Sequence, residues 1–95
     1  NEYIRQLEDG QTVKFRPRGN SMTGRINSGQ LCTVEPFRNQ TLRKGDIVLC
    51  KVAGNQYLHL ISAIRPGQVQ ISNNHSHVNG WTAFSKIYGV LIDVE

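Results

Sequence analysis

Residues 47–64 read IVLCKVAGNQYLHLISAI, and this pattern predicts two paired β-strands. Residues 47–53 are apolar almost without interruption, which is typical of a strand that is covered on both faces. Gly54-Asn55 offers the positive φ of a tight turn, so residues 56–64 are expected to run back antiparallel to the first strand. This hairpin indicates that a β-sheet is the framework of the chain.

The segments around the hairpin extend the sheet. Short apolar or alternating runs bounded by Gly and Pro predict four further strands, at residues 11–16, 31–35, 69–72 and 87–94. Ile4 and Leu7, with Asn1 as a cap, predict a short helix over residues 2–8. Six strands and one helix predict a mainly β domain with a rolled or barrel-like antiparallel sheet.

Length and composition narrow the class of protein. The 95 residues predict one domain, residues 1–95, and the net charge of +4 is too small to indicate nucleic-acid binding by itself. No run approaches the roughly 18 apolar residues of a membrane-spanning helix, so no membrane segment is expected. The chain begins with Asn1 rather than Met, which leaves open that preceding residues were removed.

Two cysteines indicate the redox state of the compartment in which the protein resides. Cys32 and Cys50 lie inside apolar runs and have neither CxxC nor metal-ligand spacing. Buried free thiols are therefore expected, and a reducing, cytoplasmic compartment is favoured.

The stretch Gly19-Asn20-Ser21-Met22 is the first candidate for chemistry. A serine held between a strand and a turn, with glycine beside it, can expose its Oγ and bring backbone N–H groups close to a reacting carbonyl. The same residue types are also ordinary turn composition. The residues alone therefore leave a nucleophile and a structural turn as alternatives.

Several motifs recur in a familiar order. They are Gly19-Asn20-Ser21-Met22, residues 34–36 (VEP), 44–48 (KGDIV), 57–59 (YLH) and 88–90 (YGV). The series resembles the superfamily of serine peptidases that contains LexA-like self-cleaving repressors and signal peptidases, over about residues 12–92. The resemblance implies a rolled antiparallel sheet of the β-clip type, with Ser21 as nucleophile and Gly19, Asn20 and Met22 in the turn that holds the oxyanion.

The resemblance also implies a general base at His59, where relatives usually have lysine. Imidazole, with an ordinary pKa of about 6.5, is largely neutral at pH 7 and can accept a proton from serine. A partly buried, hydrogen-bonded structural histidine is the alternative. Lys51, in the apolar strand, is a second candidate base, although a lysine that reaches to solvent explains it more simply.

A third member of a catalytic triad is less evident. Residues 72–81 (SNNHSHVNGW), where relatives carry a supporting acid, contain no carboxylate. Either an asparagine, Asn74 or Asn79, orients the imidazole, or the chain has lost full activity. The Asn-, Ser- and Gly-rich composition favours a polar loop.

His75 and His77 suggest a metal site, because His-x-His on a strand can ligate zinc. No third ligand is evident nearby, so neither a metal nor another cofactor is expected.

Basic residues bracket the candidate nucleophile: Lys14, Arg16, Arg18 and Arg25. They are either a solvated strand face or a positive rim that attracts acidic peptide segments or a phosphate backbone. There is no helix-turn-helix pattern and no aromatic-rich sheet, so nucleic acid is not the favoured partner.

Two functions remain open. The first is a serine endopeptidase that cleaves a peptide or protein substrate; the second is a catalytically weakened regulatory or interaction module of the same fold, of phage or mobile-element origin. The resemblance further implies a homodimer formed through the closing strand, residues 87–94. Repressor relatives cut themselves ahead of the nucleophile, but the one Ala-Gly here, Ala53-Gly54, follows Ser21. Either an N-terminal arm is absent or the domain acts on another chain.

Overall fold

The computed structural model describes residues 2–95, which form seven antiparallel strands in one sheet and one short N-terminal helix. The elements are α1 (Glu2–Glu8), β1 (Val13–Phe15), β2 (Cys32–Pro36), β3 (Ile47–Val52), β4 (Asn55–Arg65), β5 (Gln68–Ser72), β6 (Val78–Ala83), a 3-10 turn (Phe84–Lys86) and β7 (Ile87–Val94). The strand order is β1-β2-β7-β3-β4-β5-β6. The predicted mainly β class and the N-terminal helix are confirmed, while the predicted cap Asn1 lies outside the described residues.

Strand β3 is buried on both faces, as its apolar sequence predicts. Val48 and Cys50 face one cluster, which includes Ile61 of β4 and Ile71 of β5. Leu49, which points to the opposite face, packs in a cluster with residues of α1. The amphipathic helix therefore covers one face of the sheet, and the sheet itself encloses the other.

The sheet rolls until β6 meets β3, which is not its neighbour in the strand order. The Thr82 Oγ1 hydroxyl of β6 donates a hydrogen bond of 2.7 Å to the backbone carbonyl of Lys51 in β3. Both residues are at least partly buried, so this bond satisfies polar groups inside the roll. The expected rolled antiparallel sheet is thus confirmed.

The expectation of a polar loop over residues 72–81 is wrong for its second half, where the chain forms strand β6. Only residues 73–77 lie outside strands there, and Val78–Ala83 pairs with β5. Pairing with β5 supplies the backbone hydrogen bonds that the Asn- and Gly-rich composition does not predict, because strand formation depends on tertiary context.

Strand β7 has one fully paired edge and one partly paired edge. It pairs with β2 from Gly89 to Val94, whereas its pairing with β3 covers only Ile87 to Val90. Within residues 2–95, no strand pairs with the β3-side edge of residues 91–94, and Ile92 there is 52% exposed.

None of the helices within residues 2–95 combines the length and the apolar character needed to cross a bilayer.

The contact of β7 with β2 and α1 leaves no room for a side chain at Gly89. A Cβ atom there would lie 2.5 Å from Val34 Cγ1 and 3.0 Å from Leu7 Cδ1. We predict that Gly89→Ala lowers the free energy of unfolding by about 2 kcal/mol, the usual cost of overpacking a core. Urea denaturation measures this change.

The matched control is Gly67→Ala, at a turn position with φ +75° and no atom within 4 Å of the added Cβ. It should cost about 1 kcal/mol through backbone strain alone. Equal losses in the two variants would contradict the steric account.

Candidate active site

The Ser21 loop, defined here as residues 16–31, connects β1 to β2 and is anchored by two buried side chains. Met22 and Ile26 lie in a core cluster, and the Ile26 N–H donates to the Met22 carbonyl at 2.7 Å. Gly19 has φ +114°, a conformation that glycine adopts without steric cost. This turn leaves Ser21 exposed between a left-handed glycine and a buried methionine.

The Ser21 loop lies against an open edge of β4. Strand β5 pairs with β4 only from Leu60 onward, while β3 pairs along the opposite edge of residues 55–60. Met22 packs in a cluster with Leu58 and Leu60, which share one face of β4. Since His59 points to the opposite face, the loop contacts both faces of this strand.

Ser21 meets His59 across that edge. The distance from Ser21 Oγ to His59 Nε2 is 3.0 Å, within hydrogen-bond reach, although the two residues are 38 positions apart in the chain. A nucleophile and a base at this separation form the pair that activates a serine hydroxyl.

The imidazole of His59 is held from its other nitrogen. Asn79 Oδ1 of β6 lies 2.7 Å from His59 Nδ1. Because this oxygen only accepts, Nδ1 carries the proton and Nε2 presents its lone pair to the Ser21 hydroxyl. The ring of Tyr57 stacks on the imidazole at 4.9 Å between centroids. Hydrogen bonds therefore join Ser21, His59 and Asn79 in a Ser–His–Asn series.

Burial determines the charge state of His59. The residue is only 8% exposed, and desolvation lowers its pKa below the ordinary 6.5. The hydrogen bond to Asn79 opposes this shift by raising the pKa, and the electrostatic interaction with His77 lowers the pKa by a smaller amount. The imidazole is therefore neutral at pH 7, which is the form that a general base requires.

Asn74 forms hydrogen bonds with the Ser21 loop rather than with the imidazole of His59. Its backbone N–H donates to the Ser21 carbonyl at 2.9 Å, and its Nδ2 donates to the Thr23 carbonyl at 2.9 Å. His75 adds a bond from Nε2 to the Asn20 carbonyl at 2.9 Å. Residues 73–77 thus hold the Ser21 loop where β5 has ended.

Backbone donors surround the serine. The Gly19 N–H donates to Ser28 Oγ at 3.2 Å. Among residues 2–95, no acceptor is bonded to the N–H groups of Asn20, Ser21 or Met22. These three groups are available to a developing oxyanion, whereas that of Gly19 is engaged.

Lys51 does not share the site. In the β3–β4 register, Lys51 lies opposite Gln56 and His59 lies opposite Val48. Side chains alternate between faces along a strand, so Lys51 and His59 point to opposite faces of the sheet. Lys51 instead lines a cavity beside α1.

The histidines proposed for a metal site are separated in role. The His75 Nε2 atom is hydrogen-bonded to the Asn20 carbonyl, whereas the backbone N–H of His77 donates a hydrogen bond to Asn73 Oδ1. In the described part of the chain, no group of three or more His, Cys, Asp or Glu residues is arranged to hold a metal ion.

A cavity of about 360 Å³ opens beside Ser21 and His59. The Ser21 loop forms one wall, and residues 56–59 at the open edge of β4 form the other. Its size is within the range of small ligand sites. Ser21 and His59 therefore both line a cavity that is large enough for a small ligand.

Sequence reasoning assigned no role to two supporting groups. Ser28 fixes the Gly19 N–H, and Tyr57 stacks on the imidazole. The i, i+2 spacing of Tyr57 to His59 on a strand already places both side chains on one face, although it assigns Tyr57 no role, while no local signal identifies Ser28.

Comparison with known families is consistent with this geometry. A family model described as Peptidase S24-like matches residues 3–90. A comparison with curated proteins found no match.

The hydrogen bond to Asn79 predicts a ranked set of His59 pKa values. The wild-type pKa should lie below 6.5. Asn79→Asp should raise it, because a carboxylate stabilises the imidazolium, and Asn79→Leu should lower it, because the bond that raises the pKa is removed. NMR titration of the imidazole carbons measures all three values. A wild-type pKa at or above 6.5, or a reversed order of the variants, would contradict the account.

Proposed function

Because the chain belongs to the Peptidase S24-like family, we propose that it is a serine endopeptidase with Ser21 as nucleophile and His59 as general base. The observation that carries the proposal is the 3.0 Å contact between Ser21 Oγ and His59 Nε2. Three conditions support it: the nucleophile is exposed, the base is desolvated, and Asn79 holds the base in the productive tautomer.

Acylation follows from these positions. Ser21 Oγ attacks the carbonyl carbon of a peptide bond while His59 Nε2 accepts the hydroxyl proton. The carbonyl oxygen becomes an oxyanion, which the N–H groups of Asn20, Ser21 and Met22 stabilise. The resulting imidazolium then gives its proton to the leaving amine, and the C–N bond breaks to leave an ester on Ser21.

In deacylation, a water molecule takes the place of the leaving amine, and the proton transfers run in the opposite direction. His59 Nε2 takes a proton from a water molecule, and the hydroxide formed attacks the ester carbon. The C–O bond to Ser21 breaks, the proton returns to Ser21 Oγ, and a carboxylic acid product leaves. The base and the nucleophile are restored unchanged.

The open edge of β4 supports an extended substrate. The β5-side edge of residues 55–59 has no strand partner within residues 2–95 and borders the cavity that contains Ser21. A peptide backbone can pair with such an edge, which would align its carbonyl groups with the nucleophile. A peptide or protein substrate therefore fits this site.

The identity of the orienting residue affects the rate. Asn79 is neutral, so it fixes the tautomer of His59 but does not stabilise the imidazolium as a carboxylate would. The low pKa of His59 has the same consequence, since it makes the imidazole a weaker base. Slow turnover is therefore expected.

Two further properties belong to the proposal. Within the described residues, the β3-side edge of residues 91–94 has no strand partner and Ile92 is exposed, which supports a homodimer formed through β7. The buried free thiols of Cys32 and Cys50 support a reducing, cytoplasmic compartment.

A fluorophosphonate probe tests the nucleophile. We predict that the wild-type protein is labelled at pH 8, that Ser21→Ala abolishes labelling, and that His59→Gln slows it by about 100-fold or more, since general-base catalysis contributes this much. Gel fluorescence and intact mass measure the extent of labelling.

Matched controls use exposed residues of the same types. Ser85→Ala, in the 3-10 turn, should be labelled at a rate close to that of the wild type, and His77→Gln, which removes a residue that lowers the pKa of His59, should be labelled no more slowly. Wild-type protein that stays unlabelled between pH 6 and 9, or Ser21→Ala protein that is still labelled, would refute the proposal.

A further inference from the structure

Three of the four basic residues near Ser21 already have partners. Arg16 Nη1 donates to the Gly29 carbonyl at 2.8 Å, and Arg25 Nη2 donates to the Gly45 carbonyl at 2.9 Å. Lys14 Nζ lies 4.0 Å from Glu95 Oε2. These contacts tie the three side chains to loops and to the C-terminal residue but leave their charges in place, and Arg18 is the one of the four that lines the cavity beside Ser21.

Arg18 differs from the other three. Within residues 2–95, its guanidinium makes no hydrogen bond or salt bridge, and it lines the cavity that contains Ser21 and His59. Among the described residues, 2–95, no aspartate or glutamate lines that cavity. The site therefore presents one charged side chain, a cation with five N–H donors, close to the proposed nucleophile.

Gly29 allows the guanidinium to lie against the Ser21 loop. A Cβ atom at this position would come within 2.9 Å of Arg18 Nη1. Any other residue at position 29 would displace the arginine, and its φ of +86° would add strain. The position of Arg18 at the cavity thus depends on the backbone as well as on its own side chain.

The remaining walls are mostly apolar. They include Pro17, Met22, Ile26, Tyr57 and Leu58. A side chain with an aliphatic stem and a terminal carboxylate matches such a surface, because its stem contacts the apolar walls and its charge reaches the guanidinium. Arginine binds carboxylates through two parallel hydrogen bonds, which favours this ligand further.

We propose that Arg18 selects peptides that carry an acidic side chain close to the scissile bond, an inference that rests on the proposed peptidase function. A neutral substrate would cover the guanidinium without giving it a partner, and burial of an unpaired charge is costly. Discrimination therefore arises both from the bond formed with an acidic peptide and from the cost imposed on a neutral one.

A phosphate backbone fits this surface less well. Binding to nucleic acid relies on several cations that neutralise successive phosphates. Arg18 is the only one of the four basic residues around Ser21 that lines the cavity, so one carboxylate matches the charge at the site better.

Cleavage-site profiling tests the inference. A proteome-derived peptide library is incubated with the wild type, Arg18→Gln, Arg18→Glu and Arg43→Gln, and the cut sites are read by mass spectrometry. Arg43 is an exposed arginine that does not line the cavity, so its variant controls for the loss of one positive charge. Circular dichroism and the Tm verify that each variant is folded.

The wild type and Arg43→Gln should cut next to Glu or Asp, Arg18→Gln should lose this enrichment, and Arg18→Glu should favour Lys or Arg. For a synthetic pair that differs only in Glu or Gln, kcat/KM should be about tenfold higher for the Glu peptide, mainly through KM.

Wild-type cleavage without acidic enrichment, or enrichment that survives in Arg18→Gln, overturns this inference alone. Absence of both cleavage and fluorophosphonate labelling in the wild type overturns the proposed function and this inference with it.

Discussion

The pairing of β3 with β4 is the constraint on which the site depends. Its register places His59 opposite Val48, so the imidazole points to the same face as the cluster of Val48, Cys50 and Ile61. A slip of one residue would move His59 to the face that carries Leu58 and Leu60, away from Asn79. Such a slip is costly because it would exchange the buried side chains of His59 and Ile61 with the half-buried Leu58 and Leu60 along β4. Stability and the position of the base therefore have the same origin.

The early end of β5 is equally important. Because β5 pairs with β4 only from Leu60 onward, the Ser21 loop can approach the edge beside residues 55–59 without pairing with it, with Met22 packed on one face and Ser21 bonded to His59 on the other. The chain that leaves β5 then supplies Asn74 and His75, which hold the carbonyls of Ser21 and Asn20. The end of β5 at Ser72 thus leaves space for Ser21, for the residues that hold the Ser21 loop and for the adjoining cavity.

The central hairpin, the N-terminal helix and the rolled sheet could be predicted, because their patterns are local and hydrophobic. The contact of Ser21 with His59 spans 38 residues, and only the resemblance to a known family indicated it. Strand β6 was missed, since its pairing with β5 outweighs a composition typical of loops. Asn79 was one of two orienting candidates, and only the roll of β6 towards β3 distinguishes it from Asn74. The partners of Arg16 and Arg25 are backbone carbonyls, which no sequence pattern reveals.

The tautomer of His59 in the resting protein tests the central claim most directly. Long-range ¹⁵N–¹H correlation spectra at pH 7.5, with His59 assigned by its loss in His59→Gln, report which ring nitrogen carries the proton. The account predicts a neutral imidazole with a protonated Nδ1, bonded to Asn79, and an unprotonated Nε2 that faces Ser21. A proton on Nε2, or on both nitrogens, would contradict it, because Nε2 could not then accept the serine proton.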